Sequence, residues 1–219
     1  MNFKTSLFAL AALLIIGTAA SLIFFPEVFF KKSKCAVTSK SEPRNNSIKM
    51  HKLPLNDTVI SVNNYKVLIH SGKEKTGTAL VLQGWNLPVE DWCEKTSLCS
   101  KLREHGYYIV MPDMDKSVYQ DKIYPETRLE WRSCPTRSWL CDTLIPFLQK
   151  DFNLFQKDEK NYLIGLSTGG RGVTLVLLDY PELFSGAAAL SGDYAQQFMP
   201  SDNLMTGYYG SFGKFRERW

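Results

Sequence analysis

Apolar and polar positions fall into three regimes along the chain. Residues 6–25, SLFALAALLIIGTAASLIFF, run for twenty positions without a charge, long enough to cross a bilayer as a helix. Residues 31–56 are basic and polar, contain SEPRNNS, and read as a linker. From residue 57 to 219 short apolar runs alternate with amphipathic stretches, the pattern of a folded domain.

Within that domain TVISV and YKVLIH, separated by Asn63-Asn64, predict a hairpin near residues 58–70. TALVLQG reads as a buried strand, followed by Pro88 and a helix through Glu94 to His105. YYIVMPD is a second buried strand. A long loop from Met114 to about Pro135 leads to the helix TRSWLCDTLIPFLQKDF, with Thr136 as its cap and Pro146 bending or dividing it. NYLIGLS is a third buried strand, a helix runs from Gly169 to about Asp179, and GAAALSG is a fourth strand. Continuous apolar strands alternating with helices predict an α/β fold, a mostly parallel sheet covered by helices on both faces.

The N-terminal run changes the picture of where this domain works. Thr18-Ala19-Ala20 offers a signal-cleavage site, whereas the apolar character that continues to Phe30 favours an uncleaved anchor. A buried core helix is the third option, and the lack of any polar face argues against it. Residues 1–30 are therefore expected to be a signal peptide or membrane anchor, an N-terminal hydrophobic helix contacting the membrane. Seven Lys/Arg between Lys31 and Lys52 face one acid, Glu42, for +6. This collar argues for a cytoplasmic C-terminal side, and the signal-like start for the opposite. The expectation is export, with the domain extracytoplasmic. The domain itself has no basic stripe, which argues against nucleic-acid binding.

The five cysteines, Cys35, Cys93, Cys99, Cys134 and Cys141, include no CxxC pair, which argues against structural zinc. If Cys93 and Cys99 share one intact helix, their Cα atoms stand about 9 Å or more apart, too far for a disulfide.

Ligands of a parallel sheet gather beyond the carboxyl ends of its strands. Ser167 lies at such an end, inside Gly165-Leu166-Ser167-Thr168-Gly169. Glycines two residues to either side let strand and helix approach closely around a strained central residue, so the pentad reads as a nucleophile elbow. The Thr168 amide then opens a helix and points where an oxyanion would form. A second oxyanion donor is expected from the loop after the first parallel strand, at Trp85 in Leu82-Gln83-Gly84-Trp85-Asn86, with the Gln83 side chain bracing that loop. The Trp85 ring is equally suited to packing the domain.

These residues carry a resemblance. VLQGWN, YYIVMPD, DTLIPFLQ, GLSTGGRG, YPELFSGAAALSGDY and NLMTGYYGSF resemble the esterase D-like branch of the α/β-hydrolase superfamily, which includes S-formylglutathione hydrolases and feruloyl esterases. The similarity runs from about Thr78 to Trp219. It implies an α/β-hydrolase-type sheet and hydrolysis of a small carboxylic ester or thioester through an acyl-enzyme, without metal or cofactor. Carried onto this sequence, it makes Ser167 the nucleophile and the Trp85 and Thr168 amides the oxyanion hole.

The family's acid and histidine follow the serine on later loops. No histidine follows Ser167 in this chain, and His51, His70 and His105 all precede it. The expectation is an N-terminal portion of a longer esterase, missing its last strands and of little activity as given. Asp193 is the candidate acid of a variant triad, without a base to act with. Two other classes stay open, a non-catalytic hydrolase-like binding module and an acyltransferase on the same scaffold. Asp113 and Asp115 read as loop-fixing carboxylates, and Arg171 as a structural cation or a guide for acidic substrates. The aromatics Tyr119, Tyr124, Trp131, Trp139, Tyr208 and Tyr209 form a pocket or part of the core.

Overall fold

In a computed structural model the described residues are 56–131, 134–194 and 199–219. The signal or anchor segment, most of the linker, His51 and Cys35 lie outside them. Among the described residues no helix is long and apolar enough to cross a membrane.

Among the described residues six strands form one sheet: β1 (Thr58–Val62), β2 (Tyr65–His70), β3 (Gly77–Leu82), β4 (Tyr107–Pro112), β5 (Tyr162–Leu166) and β6 (Gly186–Leu190), in spatial order β1-β2-β4-β3-β5-β6. The hairpin forms as expected. Asn63 and Asn64 take φ of 50° and 68°, the left-handed pair that matches a two-residue turn to strand twist. β2 runs antiparallel to β4, and β4, β3, β5 and β6 are mutually parallel.

Alternate residues of the central strands supply two cores. Leu80, Leu82, Val110 and Leu163 pack with Trp139, Leu140, Leu144, Leu148, Val173 and Val176 on one face. Ala79, Val81, Ile109 and Met111 pack with Val89, Cys99, Trp92 and Leu102 on the other. All six residues of β3 are buried, which explains why its sequence shows no polar alternation. β6 is different. It stands at the sheet edge, and Ala187 to Leu190 are exposed.

Two helices depart from the sequence expectation. The expected helix through Glu94 to His105 is broken into α1 (Asp91–Glu94) and α2 (Leu98–Glu104). Between them the Thr96 hydroxyl bonds the Trp92 carbonyl and accepts the Leu98 amide, 3.1 Å, an alternative to the helical ladder that Ser and Thr offer the backbone. The break brings the Cys93 and Cys99 Cα atoms to 5.0 Å, and the two are joined by a disulfide. The argument from an intact helix is thus overturned by the side chains that interrupt it.

The second departure is the helix after Pro135. It comprises α3 (Thr136–Trp139), a π-helical turn (Leu140–Leu144) and α4 (Ile145–Asp151). Pro146 falls in the first turn of α4, directly after the π-helical turn, and having no N–H it donates no ladder bond back into that turn. The widened turn before it is how the helix is divided. Thr136 is not the cap. Pro135 holds that position, and the buried Thr136 hydroxyl pairs with Ser117 Oγ at 2.7 Å and Gln120 Oε1 at 3.3 Å.

Candidate active site

The site grows from the junction of β5 with α5 (Thr168–Asp179). Ser167 sits between them at φ 57° and ψ −123°, a left-handed conformation that costs a non-glycine residue energy and persists only where the surroundings impose it. Two backbone bonds impose it here. The Ser167 amide donates to the Leu190 carbonyl at 2.9 Å, and the Ser167 carbonyl accepts the Arg171 amide at 3.1 Å. The flanking glycines are required by close approach. A Cβ on Gly165 would stand 2.3 Å from the Gly169 carbonyl oxygen, and one on Gly169 would stand 2.3 Å from that of Leu82.

The loop after β3 lies against this elbow, since the Cβ position of Gly84 is 3.3 Å from that of Ser167. Its shape is fixed from beneath. Gln83, nearly fully buried, donates from Nε2 to Asp113 Oδ1 at 3.2 Å, and that oxygen also accepts the Asp115 amide at 3.3 Å. The Asn86 amide bonds the Asp115 carbonyl at 3.0 Å. Gln83 therefore braces the loop and Asp113 is a loop-fixing carboxylate. The Gln83 carbonyl is held by the Tyr119 hydroxyl at 2.8 Å. Burial, and secondarily the charge of Asp113, pushes the Tyr119 hydroxyl far above its ordinary range, so it stays a donor.

Trp85 and Thr168 are thus carried to the same strand ends by separate elements. Among the described residues neither amide has a backbone acceptor. The Trp85 ring is fixed edge-on against Trp131, centroids 4.7 Å apart, and against Tyr208 at 6.1 Å. Trp131 and Tyr208 stack at 5.2 Å. Tyr208 belongs to α6 (Asn203–Tyr209), and its hydroxyl donates to the Lys116 carbonyl at 2.7 Å. The Trp85 ring thus packs the domain, one of the two roles its sequence position suggested. Beside the elbow a cavity of about 200 Å³ is lined largely by Gly84, Leu87, Pro88, Trp92 and Leu166.

Ser167 is half-buried at the mouth of two converging loops, an arrangement that suits attack by a hydroxyl on a carbonyl held by backbone donors. The family model described as "Putative esterase" matches residues 61–212, more than half of the chain. The chain belongs to this esterase family. No curated protein sequence matches it. Among solved structures it is similar to the fluorophosphonate-binding serine hydrolase FphF of Staphylococcus aureus, at 18% identity and a TM-score of 0.57, covering 71% of this chain and 66% of that one. It is similar to the S-formylglutathione hydrolase FrmB of Staphylococcus aureus at 17% identity and 0.54, over 66% of this chain and 60% of that one. An S-formylglutathione hydrolase of Agrobacterium tumefaciens gives 16% and 0.58, over 74% and 67%. At such identities the likeness is one of fold, the α/β-hydrolase type. The esterase-family chain spans about two thirds of the length of these structures or slightly less.

Neither described histidine joins the site. His70 pairs with Ile109 near the start of β4, and His105 follows α2 just before β4. Both therefore stand at the amino ends of the parallel strands, opposite Ser167. Asp193 follows β6 three residues after Leu190, whose carbonyl holds the Ser167 amide. The adjoining Tyr194 hydroxyl donates to the Gly170 carbonyl at 3.0 Å, which folds this segment over the start of α5. Arg171 is structural: its guanidinium bonds the Val118 carbonyl and, at 3.2 Å, the Tyr209 hydroxyl. The aromatics are mostly core, since Tyr119, Trp131, Trp139, Tyr208 and Tyr209 are all buried. The wall residues Leu87, Trp92 and Leu166 and the clamp of Trp131 and Tyr208 on Trp85 escape sequence reasoning, because they meet only through tertiary contacts.

Proposed function

We propose that this chain is a serine hydrolase of small carboxylic esters or thioesters, acting through an acyl-enzyme on Ser167. The observation that carries it is the left-handed Ser167 between β5 and α5, with the Gly84-Trp85 loop lying against it. The Ser167 oxygen attacks the ester carbonyl carbon, its proton passes to a base, and the carbonyl oxygen gains the charge. The Trp85 and Thr168 amides donate to that oxygen, stabilising it more than the neutral carbonyl before it. Expulsion of the alcohol or thiol leaves the acyl group on Ser167, and water repeats the sequence to release the acid. This chemistry calls for no metal or cofactor.

The base is what the described residues do not place at this edge. A serine without one is a weak nucleophile at neutral pH, so the 219-residue chain on its own is expected to turn esters over slowly. That same point favours a second reading, a binding module that keeps the elbow and no longer reacts. Added imidazole separates the two. With p-nitrophenyl butyrate, imidazole is expected to raise the rate of the chain about tenfold or more above that of Ser167→Ala at equal imidazole. Equal rates in the two proteins would leave the binding module. Fast turnover without imidazole would mean that a base is already present.

Export of the domain is proposed on two supports, the uncharged run at residues 6–25 and the Cys93–Cys99 disulfide. Such bonds persist mainly in oxidising compartments.

A further inference from the structure

A second cavity, about 570 Å³, opens at the amino edge of the parallel strands, away from Ser167, and its wall includes His70, Lys73, Cys93, Cys99 and Arg103. The carboxylates on it are engaged. Asp57 takes His70 Nδ1 at 2.9 Å, Arg103 at 3.1 Å and the Ser71 amide at 3.1 Å, and Glu104 pairs with Lys101 at 3.4 Å. Lys73 adds an exposed cation to the same wall. The disulfide is therefore reached through a cavity whose ion pairs largely cancel and whose rim carries the exposed Lys73. Of its two halves, Cys93 is half-buried and Cys99 is only 6% exposed.

The disulfide also touches the other side of the domain. Cys93 lies on α1, a four-residue helix with no buried residue. Asp91 and Trp92 of that helix, with Lys95 just beyond it, line the cavity beside Ser167. Besides the disulfide, α1 is held by partial packing of Trp92 and Cys93 and, at the residue before it, by the Glu90–Lys66 ion pair at 2.6 Å, whereas the Lys95–Asp91 pair at 2.9 Å stays within the segment itself. One covalent bond thus stands between the two cavities.

We propose that Cys93–Cys99 is a thiol-exchange site for a dithiol, entered from the amino-edge cavity, and that its opening loosens α1, the wall of the cavity beside Ser167. A thiolate of the dithiol attacks Cys93 Sγ, the Sγ–Sγ bond breaks, and Cys99 leaves as a thiolate. The second thiol of the reductant then attacks its own sulfur in the mixed disulfide and expels Cys93. Two electrons pass to the cystine, the reductant becomes a disulfide, and its two protons end on Cys93 and Cys99. Lys73, the exposed cation of that wall, draws the incoming thiolate and favours the leaving one. Cys141 does not compete, because burial pushes its thiol far up and Asp179 accepts its hydrogen at 3.4 Å. The consequence for catalysis rests on Ser167 being the reactive serine, but the exchange and the loosening do not.

The test treats the full oxidised chain with dithiothreitol under native conditions, traps thiols with iodoacetamide and maps the peptides. Cys134 is also disulfide-bonded and is 5% exposed, so it serves as an internal reference. Cys93 and Cys99 are expected to be trapped at least about tenfold faster than Cys134, and Lys73→Gln to slow that trapping about two- to threefold. Hydrogen exchange should then quicken at least about tenfold over residues 91–97 while β3 keeps its protection. The double variant Cys93→Ser/Cys99→Ser should show the same exchange pattern without reductant. Trapping of Cys134 as fast as Cys93, unchanged exchange over 91–97, or loss of β3 protection together with it would overturn the proposal. None of these readouts uses Ser167 reactivity, so a failure of the hydrolase reading is told apart from a failure of this one.

Discussion

Gly169→Ala is expected to destabilise the domain by about 3–4 kcal/mol, near the upper end of single substitutions. The added methyl would sit 2.3 Å from the Leu82 carbonyl oxygen and 2.5 Å from that of Gln83. Both neighbours are backbone atoms of β3 and its loop, so no side chain can rotate away. α5 must instead lift from the sheet, which also strains the Ser167 amide bond to the Leu190 carbonyl that helps hold the elbow. Gly213→Ala is the matched control. No atom lies within 4 Å of its Cβ position, and its effect should stay within about 0.5 kcal/mol. Urea unfolding midpoints of the two variants check the contrast, and a Gly169→Ala midpoint as close to wild type as that of Gly213→Ala would mean that the elbow is looser than described.

The second large effect concerns alkaline pH. Tyr119, Tyr180 and Tyr208 each donate a hydroxyl hydrogen to a backbone carbonyl, of Gln83, Cys141 and Lys116 respectively. Burial, and then the neighbouring Cys141, Asp142 and Asp179, pushes Tyr180 up to about 12. Burial pushes Tyr119 and Tyr208 up further. In the unfolded chain these hydroxyls ionise near pH 10, whereas in the folded chain they keep their protons. The folded state therefore binds more protons above pH 10, and stability falls as pH rises. The contribution is fully present below pH 10 and lost progressively through 12. Tyr180 is only partly buried, so after solvent screening it contributes about 1 kcal/mol of that loss. Unfolding midpoints measured from pH 8 to 12 should fall steeply above 10, with a shallower fall in Tyr119→Phe. A flat profile would show that these hydroxyls are free to ionise in place.

What the sequence revealed follows from where the determining contacts lie. β3 and β4 were legible because burial on both faces writes an unbroken apolar run. The Asn63-Asn64 turn and the elbow were legible because their φ values are carried by the residues themselves. The Cys93–Cys99 disulfide was not, since helical periodicity spans Thr96-Ser97 and the Thr96 hydroxyl interrupts it only once its backbone partners are in place. The anchoring of Trp85 was equally hidden. Its ring meets Trp131 and Tyr208, which are distant in sequence and arrive through a loop and a helix whose docking no local pattern encodes.

The measurement that bears most directly on Ser167 is covalent labelling of the full chain with an alkyl fluorophosphonate in the presence of imidazole, followed by peptide mapping. The account predicts one adduct, on the peptide containing Ser167, at a rate that rises with imidazole and vanishes in Ser167→Ala. An adduct on any other residue, or a Ser167 that stays unmodified at all imidazole concentrations, would contradict it.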